Sequence, residues 1–156
     1  MKKYDLFKVA VADEALMNVA RVFSSGFINE GSEVTQLKHA LEHKLKAKFL
    51  TLTNACTSAI VLALKCANVN PGDDVVTTAM TCVATNTPIV NAGANIVWAD
   101  IDADTGMLTL ESIRSAVTPK TKAVIIVAWA GTPPAELDLI YGWCLDNKIK
   151  LILDAA

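Results

Sequence analysis

The run Lys122–Ala128, KAVIIVA, constrains this chain more than any other feature. It is an unbroken apolar stretch with β-branched residues at its centre, short for a helix and suited to a strand covered on both faces. Such runs form the central strands of parallel sheets, where helices lie above and below. Parallel strands need crossover connections, and the surrounding sequence alternates accordingly. Strands are expected at Phe49–Thr53, Val75–Thr78, Asn95–Ala99 and Lys150–Leu153. Helices are expected at Ser32–Ala47, Ser58–Ala67, Cys82–Asn91 (which contains Pro88), Leu110–Val117 with Thr109 as N-cap, and Ala135–Asn147. Asn70-Pro71-Gly72-Asp73 has turn chemistry. Right-handed βαβ units in one α/β domain, behind an N-terminal helical arm, follow from this order.

Composition narrows the partners. Hydrophobic residues make up 53% of the 156, charged ones 19%, and the net charge is −2. That balance lies outside the disordered regime and provides no basic field for nucleic acid or an anionic membrane. Asp5, Asp13 and Glu14 interrupt the opening stretch where a signal peptide needs apolar residues. A cytoplasmic location is therefore expected. The cysteines, Cys56, Cys66, Cys82 and Cys144, include no C-x-x-C pair, so reduced thiols are expected rather than a disulfide framework or zinc site.

Three local patterns could carry chemistry. Thr53-Asn54-Ala55-Cys56-Thr57-Ser58-Ala59 joins an expected strand to an expected buried helix capped by Cys56 or Thr57. Small residues, free helix-start N–H groups and the hydroxyls of Thr57 and Ser58 suit a phosphate. The same residues also suit an ordinary capped helix. Asp154, at a strand's carboxyl end, could hold a positive charge such as a protonated ring nitrogen, or cap a turn. His39-Ala40-Leu41-Glu42-His43 matches H-x-x-E-H of the inverzincin peptidases. At about 100° per residue, however, both histidines lie opposite the Val34/Leu37/Leu41/Leu45 stripe and read as a solvated face. With no other histidine, no base is placed near any cysteine. Trp98, Trp129 and Trp143 read as packing residues, Trp129 also as a pocket wall beside Asp154.

Several stretches are familiar in order. Ser25-Gly26 to Gly31 matches "sG…G"; Asn54-Ala55-Cys56-Thr57-Ser58-Ala59-Ile60 is similar to "nSGTsAL". Pro71-Gly72-Asp73-Asp74-Val75-Val76 matches "pGDEVi", and Thr81-Cys82-Val83-Ala84-Thr85 matches "TfvAT". Gly93-Ala94 through Asp102 matches "GA.pvfvDid", Thr118-Pro119-Lys120-Thr121-Lys122-Ala123 matches "iT.kTkaI", and Gly131-Thr132-Pro133 matches "G.p". Asp154-Ala155-Ala156 begins "DAAq". Together they resemble the N-terminal part of the DegT/DnrJ/EryC1/StrS aminotransferases.

The resemblance implies an incomplete fold-type I large domain, three-layer α/β/α with a mainly parallel sheet, over residues 32–156 behind the arm 1–31. It implies pyridoxal phosphate as cofactor, with its phosphate on Cys56, Thr57 and Ser58, its ring beside Cys82, and its pyridine nitrogen paired with Asp154. Cys82 stands where the family usually stacks an aromatic residue, and Cys56 where it usually has glycine. Family members carry their Schiff-base lysine well downstream of "DAAq", so no catalytic residue is carried over, and the chain alone is expected to be inactive. The implied reaction moves an amino group from an amino acid to a keto sugar, often nucleotide-linked, in a homodimer. The competing expectation is a non-catalytic α/β dimerisation or regulatory domain, complete as it stands.

Overall fold

In the computed structural model, which describes residues 8–156, the apolar run becomes a strand between two others. Because β1 (Asp74–Thr77), β2 (Asn95–Trp98), β3 (Thr121–Val127) and β4 (Lys150–Asp154) all pair in parallel, the sheet order is β2-β1-β3-β4. Ala123, Val124, Ile125 and Ile126 of β3 are each 0% exposed. The chain forms two compact units, one ending at Leu52 and the other Thr53–Ala156. No helix among the described residues is long and apolar enough to cross a membrane.

The first unit carries α1 (Ala15–Ser25) and α2 (Ser32–Leu45), neither of which buries a residue. Arg21 donates to Glu33 at 2.9 Å, an exposed pair that contributes little. On α2 the expected stripe includes Leu37 and Leu45, 52% and 61% exposed. His39 and His43 are exposed, and His39 Nδ1 lies 3.3 Å from Glu42. Phe49–Thr53 is not a strand. A strand exists only through a hydrogen-bonded neighbour, and none of the four strands pairs with this segment.

In the second unit helices cover both sheet faces. Ile60 and Leu64 of α3 (Cys56–Cys66) and Ile89 of α4 (Val83–Asn91) pack on Val75, Ala123 and Ile125. Ile113 of α5 (Leu110–Ala116), with Ile140 and Cys144 of α6 (Leu137–Asp146), packs on Val76, Val124 and Ile126. Val75/Val76 and Val124/Ile125 thus divide between the faces as the two-residue period of a strand requires. The β1-to-β2 crossover runs through α4 on one face and the β2-to-β3 crossover through α5 on the other. Winding therefore reverses beside β1, and the crevice outside the strands' carboxyl ends is the usual ligand position in such sheets.

Local chemistry fixes the connections. Thr109 caps α5 in a capping box, its hydroxyl accepting from the Ser112 N–H at 3.1 Å. The Asn70–Asp73 turn closes on Gly93, whose carbonyl accepts from Gly72 N at 2.9 Å. Gly93 has φ +73°, and a Cβ there would stand 3.0 Å from Cβ of Pro71. At the amino end of β1, Asp74 accepts from Thr118 Oγ1 at 2.6 Å and Asn95 Nδ2 at 2.9 Å. These bonds, Thr118 first, hold its carboxyl below the usual carboxylate range. Trp143 packs against the core, whereas Trp98 and Trp129 are 54% and 43% exposed. Trp98 ends the edge strand β2, and Trp129 lies in a short 3-10 turn after β3.

Two outcomes follow. Gly93→Ala should cost about 1–3 kcal/mol through its positive φ and the contact with Pro71, measured by chemical denaturation. Asp74 has a depressed folded-state pKa, so its stabilisation is complete above the unfolded value near ~4 and disappears as pH falls through the folded value. Asp74→Asn should therefore flatten the stability–pH curve below about pH 4.

Candidate functional site

Strand period places Asp154. On β4, Ile152 packs against the α3/α4 face and Asp154, two residues on, shares it. The side chain is 7% exposed. Its Oδ2 accepts from Thr85 Oγ1 at 2.8 Å; its Oδ1 accepts from the Ala156 N–H at 3.2 Å and the Cys56 thiol at 3.5 Å. Among the described residues it makes no ion pair. A carboxylate has about four acceptor positions, so room remains for another donor. Burying a carboxylate without a cation is costly, and the arrangement suits a positively charged N–H group.

Beside it begins α3. The helix starts at Cys56 with Ala55 as N-cap, not at Ser58 behind a cap at Cys56 or Thr57. Ala55 has no side-chain acceptor to offer, Cys56 and Thr57, the expected caps, lie inside the helix, and the neighbouring hydroxyls are used elsewhere: Ser58 Oγ donates to Asn54 Oδ1 at 2.8 Å, and Thr53 Oγ1 to the Ala55 carbonyl at 3.0 Å. The N–H groups of the first turn are therefore left without a side-chain cap, with the partial positive charge of a helix start. Cys56 is exposed, Thr57 and Ser58 half-buried. Burial first, then the Asp154 charge and hydrogen bond, raises the Cys56 pKa.

The third wall is the start of α4. Cys82 is the exposed N-cap residue. One turn on, Thr85 is 2% exposed and bonds both Asp154 and Thr81, each at 2.8 Å. Asn86 ties α4 to the carboxyl end of β1, accepting from Thr77 Oγ1 and donating to the Thr78 carbonyl, both at 3.1 Å. Sequence reasoning did not single out Thr81, Thr85 or Asn86 as site residues. The available signal was Thr85 at i−4 from the core residue Ile89, a hydroxyl on an apolar helix face that must find a partner.

The structure thus brings Cys56 and Asp154 into contact and places Thr57 and Ser58 on the same helix start, with Cys82 heading the helix that supplies Thr85. His39 and His43 belong to the other unit. The donor set, an uncapped helix start beside a buried carboxylate, fits an anion and a cation carried by one ligand.

Known proteins share this arrangement of elements. The spore coat polysaccharide biosynthesis protein SpsC of Bacillus subtilis is 33% identical over 146 residues, 94% of this chain and 37% of SpsC. The solved aminotransferase TlmJ of Streptoalloteichus hindustanus superposes with a TM-score of 0.90 at 27% identity, over 97% of this chain and 42% of that one. The ntda protein of Bacillus subtilis, solved with bound cofactor PMP, gives 0.87 at 26% identity, over 99% and 38%. The chain thus spans about two-fifths of the length of these relatives, and its parallel sheet with flanking helices is an incomplete fold-type I domain. Residues 10–156 match the model of the DegT/DnrJ/EryC1/StrS aminotransferase family, to which this chain belongs.

Proposed function

We propose that this chain is the N-terminal portion of a pyridoxal-phosphate-dependent aminotransferase that aminates a keto sugar, nucleotide-linked, from an amino-acid donor. Residues 1–31 serve as an arm and 32–156 as part of the cofactor-binding large domain of a cytoplasmic homodimer. The observation that carries the reading is the buried Asp154, with no ion-pair partner among the described residues, beside the uncapped start of α3. A sugar substrate is supported by the likeness to SpsC, whose name describes a spore coat polysaccharide biosynthesis protein.

When bound, the cofactor supplies an electron sink whose strength depends on a protonated ring nitrogen. Asp154 holds that proton in place by offering an anionic acceptor in a buried setting. The Cys56, Thr57 and Ser58 N–H groups, with the Thr57 and Ser58 hydroxyls, receive the phosphate at the positive end of α3. Cys82, at the head of α4, would offer the ring a polarisable sulfur, with less apolar area than an aromatic residue supplies.

Cysteine labelling tests this directly, because α3 carries exposed thiols at both ends, Cys56 and Cys66. Pyridoxal phosphate should slow alkylation of Cys56 and leave Cys66 unchanged, as read by peptide mass spectrometry. Equal rates at Cys56 with and without cofactor would overturn the assignment. Without cofactor, Asp154→Asn removes the negative charge that helps raise the Cys56 pKa, so alkylation of Cys56 should become several-fold faster near neutral pH. Cys144, buried and pushed up to about 11, should stay unreactive until the chain unfolds.

A further inference from the structure

We infer that Thr85, backed by Thr81, is a positioning residue that orients the Asp154 carboxylate toward the ring nitrogen of the cofactor. The inference rests on the cofactor assignment above and adds to it Thr81 and Thr85, the latter bound to Oδ2 of Asp154 where Cys56 meets Oδ1.

The hydrogen-bond directions follow from chemistry. An ionised carboxylate only accepts, so the Thr85 hydroxyl must donate at the 2.8 Å contact with Oδ2. A hydroxyl has one proton, so at the 2.8 Å contact with Thr81 the Thr85 oxygen accepts and Thr81 donates. The chain therefore has one polarity, Thr81 to Thr85 to Asp154, and each bond polarises the next. Thr85 is 2% exposed, so water does not substitute for it without displacing packed neighbours.

Rotation of the carboxylate is what this arrangement limits. Oδ1 is held by longer contacts, the Ala156 N–H at 3.2 Å and the Cys56 thiol at 3.5 Å. A thiol is a weak donor, so the short bond to Thr85 is the principal side-chain restraint on the plane of the group. The anchor is itself fixed: Thr85 lies in the first turn of α4, and the next residue, Asn86, bonds both Thr77 and the Thr78 carbonyl at the end of β1. A group that pairs with a ring nitrogen must present an oxygen in a fixed direction, and Thr85 supplies that constraint.

The test compares Thr85→Val, which keeps the shape and removes the hydroxyl, with Thr85→Ser, which keeps the hydroxyl. Each variant of the chain is titrated with pyridoxal phosphate and with its carbocyclic analogue, which has C–H in place of the ring nitrogen. Thr85→Val should weaken pyridoxal phosphate by about tenfold and leave the analogue unchanged, with Thr85→Ser near wild type and Thr81→Val intermediate. Equal loss of both ligands would mean a packing role and overturn the inference, and so would unchanged binding of pyridoxal phosphate by Thr85→Val. Failure of the wild-type chain to bind pyridoxal phosphate would instead overturn the proposed function, and this inference with it.

Discussion

With Ala123 through Ile126 wholly buried, β3 is stable only where helices cover both faces and strands satisfy both edges. β1 and β4 supply the edges; α3 with α4, and α5 with α6, supply the faces. The site inherits its position from this requirement. Because β4 pairs in register with β3, Val127 against Asp154, the aspartate is delivered to the carboxyl edge of the sheet beneath α3 and α4. A register slip of one residue would turn Asp154 to the opposite face, away from Thr85 and Cys56.

Electrostatics explains why the site is built from a carboxylate and a bare helix start rather than from basic residues. The Asp154 charge is tolerated by a hydroxyl, a backbone N–H and a thiol, none of which cancels it. The α3 N-terminus, without a side-chain cap, keeps its partial positive charge. A side-chain cap at Ala55 would stabilise the helix by about 1 kcal/mol while occupying the N–H groups that a phosphate needs. Local stability and the anion binding proposed for this helix start pull in opposite directions, and small residues there leave the N–H groups open.

Much of this was legible in the chain. Strands β1 to β4 and helices α2 to α6 lie where periodicity and composition put them, because each depends on short-range patterns: the KAVIIVA run, the Thr109 capping box, the Asn70–Asp73 turn. Phe49–Thr53 failed because β-branched content states only a preference for extended backbone, and the partner strand is a tertiary fact. The α3 start lies two residues before the expected Ser58 because Cys56 and Thr57, read as caps by their side chains, are already helical behind Ala55, which caps with backbone alone. Trp98 and Trp129 read as packing residues because size favours burial, yet they lie on an edge strand and in a turn and stay about half exposed.

By itself the sequence determined the alternation of strand and helix, the small polar stretch Asn54–Ser58 ahead of an apolar helix and the presence of an aspartate at a strand's end. Those are properties of spacing along the chain. Only the tertiary structure decided that Asp154 meets Thr85 and Cys56, which stand 69 and 98 residues away. It decided this because strand order and the face on which each crossover packs are set by burying both sides of β3, a condition that no local window contains.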